Sequence, residues 1–297
     1  MVDSKLISFM SIVRNKSYTE AAKELNLTQP AISHQMRQLE EEYAARFFIY
    51  EGRKLLLTEA GQILYTHAES AVARERMLKE KLEGLHNRRK EVKFGATLTI
   101  GEFTIAPYLK ELFETFPQYH LSMLVDNTRN LMEMLNKGEI HFALIEGLFP
   151  KDHYETRLLK TCDFILITTK DHDISRREKV VLEDLLHEKL IIREKGSGSR
   201  EILERALDER NRNLNSFCEV MEIGNVNIMK KMVMEGMGIS FMYRDAALPE
   251  LQSGELVEVS VENFSMEREF NFVQMKDDVI SVENQEVLDF ISNKLHR

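Results

Sequence analysis

From Thr58 to about Leu85 the chain holds no proline, and Leu57, Leu64, Ala71, Leu78 and Leu85 recur every seven residues, with Ala68 and Leu82 at companion positions. This stretch is predicted to be one helix, about 42 Å long at 1.5 Å per residue. Its apolar seam is narrow, interrupted at Glu75, and too long for a small neighbouring unit to cover. A partner helix from a second copy is the expected cover, which also supplies twofold symmetry. A lone surface helix lying on its own chain is the alternative. The rod divides the sequence into a head before it and a body after it.

In the head, Leu6, Phe9, Ile12 and Val13 recur at helical spacing, and Ser17 is placed to cap a short second helix beginning at Tyr18. A third helix opens at Thr28 with Pro30 in its first turn, where a missing amide costs little. Ile32, Met36 and Leu39 then face inward, leaving Gln29, Pro30, Ser33, His34 and Arg37 outward. Amide, hydroxyl, imidazole and guanidinium groups on one helix face have the chemistry to read base edges in a major groove. Phe47 to Tyr50, a turn at Glu51 to Lys54, and Leu55 to Leu57 read as a two-stranded wing, with Arg53 and Lys54 at its tip to meet phosphates.

Beyond Glu91 strands and helices alternate, as in a parallel sheet with crossover helices. Val92 to Ala96, His120 to Val125 and Phe142 to Ile145 are predicted strands, with helices from about Ile100 to Pro117 and from Asn130 to Lys137. The pattern repeats with strands at Lys189 to Arg193, Cys218 to Met221 and Ile239 to Tyr243, and two similar halves imply a cleft. Ligands of such sheets sit beyond the carboxyl ends of the strands, where helix N-termini favour anions. That places Thr97, Thr99, Thr128, Gly196, Ser197, Gly198, Ser199 and Asn225 as candidate ligand residues, with Arg193 or Arg200 as an anion clamp.

Several classes fall away. A chain with 43% apolar residues, 30% charged and five prolines supports a folded core. No apolar run approaches a membrane span, and the start shows no secretory leader pattern, so a cytoplasmic protein is expected. Cys162 and Cys218 fit neither a disulfide framework nor a metal site and are expected to be small buried residues. His120, His141, His153, His172 and His187 are scattered without catalytic spacing, so no enzyme, metal or cofactor is expected. Charge is graded: eight Lys/Arg against eight Asp/Glu through Thr66, seven against four from His67 to Lys90, and 25 against 37 beyond. The head is neutral overall, so its basic groups must gather on one face, with Glu40, Glu41 and Glu42 turned away.

Ser17 to Ala22, Leu27 to Ser33, Gln38 to Glu40 and Leu57 to Gly61 resemble the winged helix-turn-helix of the LysR-type bacterial transcriptional regulators. Phe94 to Gly101, Phe142 to Gly147, Ile191 to Arg200 and Val233 to Ile239 resemble the regulatory domain of that family. The resemblance implies an α/β chain in three parts. A DNA-binding domain spans 1–60, a linker and dimerisation helix with hinge 61–90, and a periplasmic-binding-protein-like domain 91–297. The last splits into subdomain I, about 91–161 with 265–297, and subdomain II, about 162–264. It further implies double-stranded promoter DNA as partner, RNA polymerase as a further one, a homodimer through the linker helix, and a homotetramer of two such dimers. The effector would be an organic anion or an amino-acid-like metabolite, with loop chemistry most like regulators of sulfur and amino-acid metabolism. The resemblance implies that it sits at the loops of Thr97, Thr99, Glu146 and Gly196 to Ser199. Glu146 is a carboxylate among anion-directed ends, so either it pairs internally with Arg193 or Arg200, as buried charges usually do, or it receives an ammonium from a zwitterionic ligand. The alternative is an effector-independent regulator with a degenerate cleft. Two departures stand out. His34 and Tyr50 occupy places where many members carry Arg, which predicts a shallower salt dependence of DNA binding.

Overall fold

A computed structural model of the chain describes residues 3–52, 54–84, 90–149, 154–276 and 282–295. Two units result, one of residues 1–87 with 136–139, the other of residues 88–135 with 140–297. In the first, helix α1 (Ser4–Asn15) is capped by Asp3, whose carboxylate accepts the Lys5 amide at 2.9 Å. Helices α2 (Tyr18–Glu24) and α3 (Gln29–Glu42) follow, then strands β1 (Phe48–Glu51) and β2 (Lys54–Leu57), paired antiparallel with Phe48 opposite Leu57. Phe9, Ile12, Ala21, Ile32, Met36 and Phe47 form the core, with the Phe9 ring edge-on to Phe47 at 5.6 Å.

The rod is helix α4 (Glu59–Gly84), about 39 Å long at 1.5 Å per residue. Gly61 is required in its first turn, because a Cβ there would sit 2.3 Å from the Phe47 carbonyl oxygen. The seam is not uniform. Leu64 and Ala68 are buried in the core of the first unit, whereas Leu78 and Leu82 are 56% and 52% exposed. Leu85, Arg53 and the expected hinge residues 86–89 lie outside the described residues, and Lys90, also expected in the hinge, opens the first strand of the body.

The body contains β3 (Lys90–Thr97), α5 (Leu109–Thr115), β4 (Tyr119–Asp126), α6 (Thr128–Asn136), β5 (Phe142–Glu146) and the long β6 (Tyr154–Thr168). It continues with α7 (Leu182–Leu185), β7 (Lys189–Ile192), α8 (Gly198–Asp208), β8 (Glu219–Glu222), α9 (Val226–Met234) and β9 (Ile239–Tyr243). The closing elements are α10 (Arg244–Ser253), β10 (Val257–Val259), β11 (Met266–Met275) and α11 (Val282–Leu295). One sheet runs in the order β4-β3-β5-β11-β6-β9-β7-β8, with β10 beside β6. Strands β4, β3 and β5 are parallel, as are β9, β7 and β8, and the antiparallel ladder of β11 on β6 joins the two sets. That ladder is bulged at Phe270/Asn271. Each parallel set has the same internal order, so β3 and β7 are both flanked by strands on either side, the topology that opens a crevice at a strand's carboxyl end.

Two expectations change. The helix expected from Ile100 to Pro117 is three pieces: a π-turn at Ile100–Thr104, a 3-10 turn at Ala106–Tyr108, and α5. Pro107 has no amide to continue the ladder, and the Ile105 amide reaches back five residues to the Ile100 carbonyl at 2.8 Å. Cys162 is buried as expected, but Cys218 is exposed. It immediately precedes β8, the outer strand of the sheet, where a side chain has no second strand to lie against. Among the described residues no helix is long and apolar enough to cross a membrane.

Candidate DNA-reading face and effector site

Two caps set the reading head. The Ser17 hydroxyl accepts the Glu20 amide at 3.3 Å and the Thr28 hydroxyl accepts the Ala31 amide at 3.3 Å, so both fix helix starts. With Ile32, Met36 and Leu39 buried, α3 turns Gln29, Pro30, His34 and Arg37 to solvent, and Ser33 is half-buried. The Gln29 amide donates to the Ser33 hydroxyl at 3.0 Å, which fixes its orientation. Arg37 forms no ion pair with a described residue. A concave surface of about 470 Å³ runs along this helix, lined by Ser17, Gln29, Ser33, Arg37, Arg46 and Tyr50. Lys54 is exposed at the wing, opposite Glu51.

Sequence reasoning missed Arg46 and misplaced Glu40. Arg46 is 81% exposed, and its guanidinium is held at 2.9 Å by Glu40, whose other oxygen accepts the Phe47 amide at 3.0 Å. Glu40 therefore lines the same concave surface instead of turning away from it. Its charge is countered by Arg46, and with burial it pushes the neighbouring Tyr18 hydroxyl up to about 12. Only the contact revealed this, since an Arg six residues after a Glu carries no helical spacing signal.

In the body, four loop ends converge. Thr97 ends β3 and is buried, its hydroxyl making no hydrogen bond. Thr99, also buried, favours the ionised Glu146 carboxylate, and the Thr128 hydroxyl at the start of α6 donates to the Glu146 carbonyl at 3.2 Å. The Arg129 amide donates to the Gly196 carbonyl at 3.3 Å. A Cβ on Gly198 would lie 2.5 Å from the Glu146 carbonyl oxygen, and one on Gly147 would lie 2.6 Å from the Gly198 Cα. Only glycine on both sides permits this approach, and Gly147 also has φ of +103°. Ser197 precedes α8 without a side-chain cap, and Ser197 and Ser199 are buried beside it.

Glu146 is 2% exposed, and burial pushes its carboxyl up to about 7, opposed by Arg193 and the Thr99 hydroxyl. Its Oε2 makes no hydrogen bond. The expected internal ion pair does not form. Arg193 instead binds Glu194 through two bonds at 2.8 and 2.9 Å. Arg200 binds Glu204 at 2.8 Å, Glu222, and the Arg193 carbonyl at 3.1 Å. Two of these carboxylates lie one and four residues from the arginine they bind, with little loop to order, while Glu222 comes from the neighbouring strand β8. Asn225 is not brought to the cluster by any contact; its side chain caps α9 by accepting the Ile228 amide at 3.0 Å. Two residues were missed: Arg129, exposed beside Gly196, and Tyr243. The Tyr243 ring packs at 5.0 Å on Phe270, which is the cross-strand partner of Glu146, and its buried hydroxyl makes no hydrogen bond.

Known proteins agree with both units. Residues 4–62 match the description of the bacterial regulatory helix-turn-helix protein of the lysR family, and residues 86–295 match that of the LysR substrate binding domain. The HTH-type transcriptional activator CmpR of Synechocystis sp. is 30% identical over 286 residues, covering 95% of this chain and 92% of that protein. The Synechocystis PCC6803 CcmR regulatory domain, solved in complex with 2-PG, superposes with a TM-score of 0.62 at 20% identity, covering 69% of this chain and 97% of that one. Full-length LysG from Corynebacterium glutamicum with bound effector Arg gives 0.62 at 16% identity over 100% of this chain and 98% of that one. Likeness at these identities speaks for the fold alone. Matched in both head and body, the chain belongs to the LysR family of DNA-binding transcriptional regulators.

Proposed function

We propose that this regulator reads promoter DNA with Gln29, Ser33, His34 and Arg37 of α3 in the major groove, while Arg46, Lys54 and Arg53 meet phosphates. Ser17, Thr28 and Pro30 hold the helix ends that set the docking angle. The observation that carries this reading is the division of α3 into a buried apolar face and a polar face along a concave surface with an unpaired Arg37. Two copies pair through the exposed upper seam of α4, giving two heads for two half-sites, and two such dimers form a tetramer in the cytoplasm. RNA polymerase is the partner through which transcription changes.

The body holds a small organic acid at the converging loops of Thr97, Thr99, Thr128, Glu146 and Gly196 to Ser199, where α8 presents an uncapped N-terminus. Arg193 acts there through its charge and Arg200 lies in the first turn of α8, whereas Asn225, which caps α9, takes no part. Subdomains meeting near Thr161 and Ser265 would change their angle on binding, and coupling to DNA requires different effector affinity in the two arrangements. 2-PG in the CcmR domain and Arg in LysG support a small acid as effector. Footprinting of the full-length protein on the promoter beside its own gene, with and without a metabolite extract, tests this. A footprint that changes supports a sensor, and one unchanged by the extract would favour an effector-independent regulator.

A further inference from the structure

We infer that the effector carries a protonated amine beside its acid group, and that Glu146 is the residue that receives the amine. This rests on the effector site proposed above and adds the chemistry of its occupant.

Glu146 ends β5, is 2% exposed, and leaves Oε2 without a hydrogen bond. The cations that would ordinarily neutralise a buried carboxylate are engaged elsewhere, Arg193 by Glu194 and Arg200 by Glu204 and Glu222. Glu146 forms no ion pair with a described cation. A buried carboxylate oxygen with no donor is costly, so a position that keeps one points to a donor supplied from outside the chain. The N-terminus of the 11-residue α8, which has no side-chain cap, lies close to the same residue, since a Cβ on its Gly198 would fall 2.5 Å from the Glu146 carbonyl oxygen. An α-amino acid, whose acid and ammonium groups share one carbon, would set its acid on the α8 amides and its ammonium on Oε2. An acid without the amine would bring a second negative charge to Glu146, and only the protonated carboxyl would tolerate it.

Among the described residues, the charged or titratable groups that act on Glu146 are Arg193 and Tyr243, and the Thr99 hydroxyl favours its ionised form. Receipt of an ammonium fixes the ionised carboxylate, so binding near neutrality releases a proton to solvent. A hydroxy acid or inorganic anion would instead draw a proton in. The two occupants therefore differ in sign.

The test is isothermal titration and thermal shift of the full-length protein with the L-α-amino acids, their matched 2-hydroxy acids, and sulfate. Wild type and Glu146→Gln are compared at pH 7 in buffers of different ionisation enthalpy. The expected result is an amino acid that binds at least about tenfold tighter than its hydroxy acid, with proton release. Glu146→Gln should erase that ratio by weakening the amino acid, and should abolish the proton release. Hydroxy acids or sulfate binding as tightly as amino acids, indifferent to Glu146→Gln, would overturn the amine and leave the anion site standing. Proton uptake by the wild type on amino-acid binding would also overturn it, and that measurement needs no variant. Response to none of the three series overturns the amine and the site together.

Discussion

Replacing Glu146 with glutamine isolates what a buried acid does to the stability of the body. In the folded chain its carboxyl is pushed up to about 7 from the ordinary 4.5, because burial outweighs Arg193 and Thr99. The folded state thus holds a proton that the unfolded state gives up first. The stabilising contribution is complete below pH 4.5 and is lost as pH rises through 7, beyond which it changes no further. The difference between the two values corresponds to about 3 kcal/mol at 1.36 kcal/mol per pK unit, and full burial leaves no solvent screening to discount. Glutamine keeps the shape and an oxygen for Thr99 but does not titrate. About 2.5 kcal/mol of that contribution is lost between pH 5 and pH 8, so at roughly 2–4 °C per kcal/mol for a domain of this size the Tm of Glu146→Gln minus that of wild type should rise by roughly 5–10 °C over that range. Scanning calorimetry of both proteins across that range, free of effector, measures it. All other titrations cancel in the difference. A difference that stays flat with pH would refute the reasoning, because it would mean the carboxyl titrates alike in the folded and unfolded chains.

Arg37→Ala should cost about 1–3 kcal/mol of DNA binding and relax preference at one base pair. Arg46→Ala should weaken all sequences alike and reduce the salt slope by about one; gel-shift titrations against single-base operator variants separate the two. Leu78→Glu with Leu82→Glu places charge on the exposed upper seam of α4, and light scattering should show loss of the wild-type oligomer with an unchanged circular dichroism spectrum. Gly198→Ala puts a methyl 2.5 Å from the Glu146 carbonyl oxygen and 2.8 Å from the Thr128 hydroxyl, so about 1–3 kcal/mol of destabilisation is expected. A Tm unchanged by that methyl would mean that the loops of Glu146 and α8 do not touch.

What was legible in the sequence was whatever a local rule governs. Ser17 and Thr28 cap the helices they were assigned to, and Ile32, Met36 and Leu39 face inward as their spacing requires. The wing pairs Phe48 with Leu57, and the strands of the body begin within one residue of their predicted starts at His120, Phe142, Lys189 and Cys218. Partner choice was not legible. Arg193 and Arg200 were candidates for Glu146, but Arg193 is taken by the adjacent Glu194, and Arg200 by Glu204 one turn on and by Glu222 across the sheet, a partner no local spacing reveals. Nor does a heptad distinguish Leu64, covered by its own head, from Leu78, which is not. The π-turn at Ile100 was hidden because the apolar spacing there suits either kind of helix, while Pro107 only limits where an α-helix can begin. Tyr243 follows the alternation of β9 onto the inner face, but nothing in the spacing reveals that its hydroxyl ends there unpartnered.

The place of β11 bears on how the chain is made. Residues 266–275 are synthesised after every other described strand of the sheet, yet they fill its middle, between β5 and β6. Until they emerge, both of those strands expose unpaired backbone along apolar edges, a template for wrong pairing. The head, built from contacts among residues close in sequence, is finished long before. A nascent chain therefore passes through an interval in which it has a complete reading head and an unclosed body. Any message cut short before codon 266 would yield a protein that carries a DNA-binding unit attached to an aggregation-prone half-sheet, so rapid removal of truncated products matters more here than in a chain whose last strand lies at an edge.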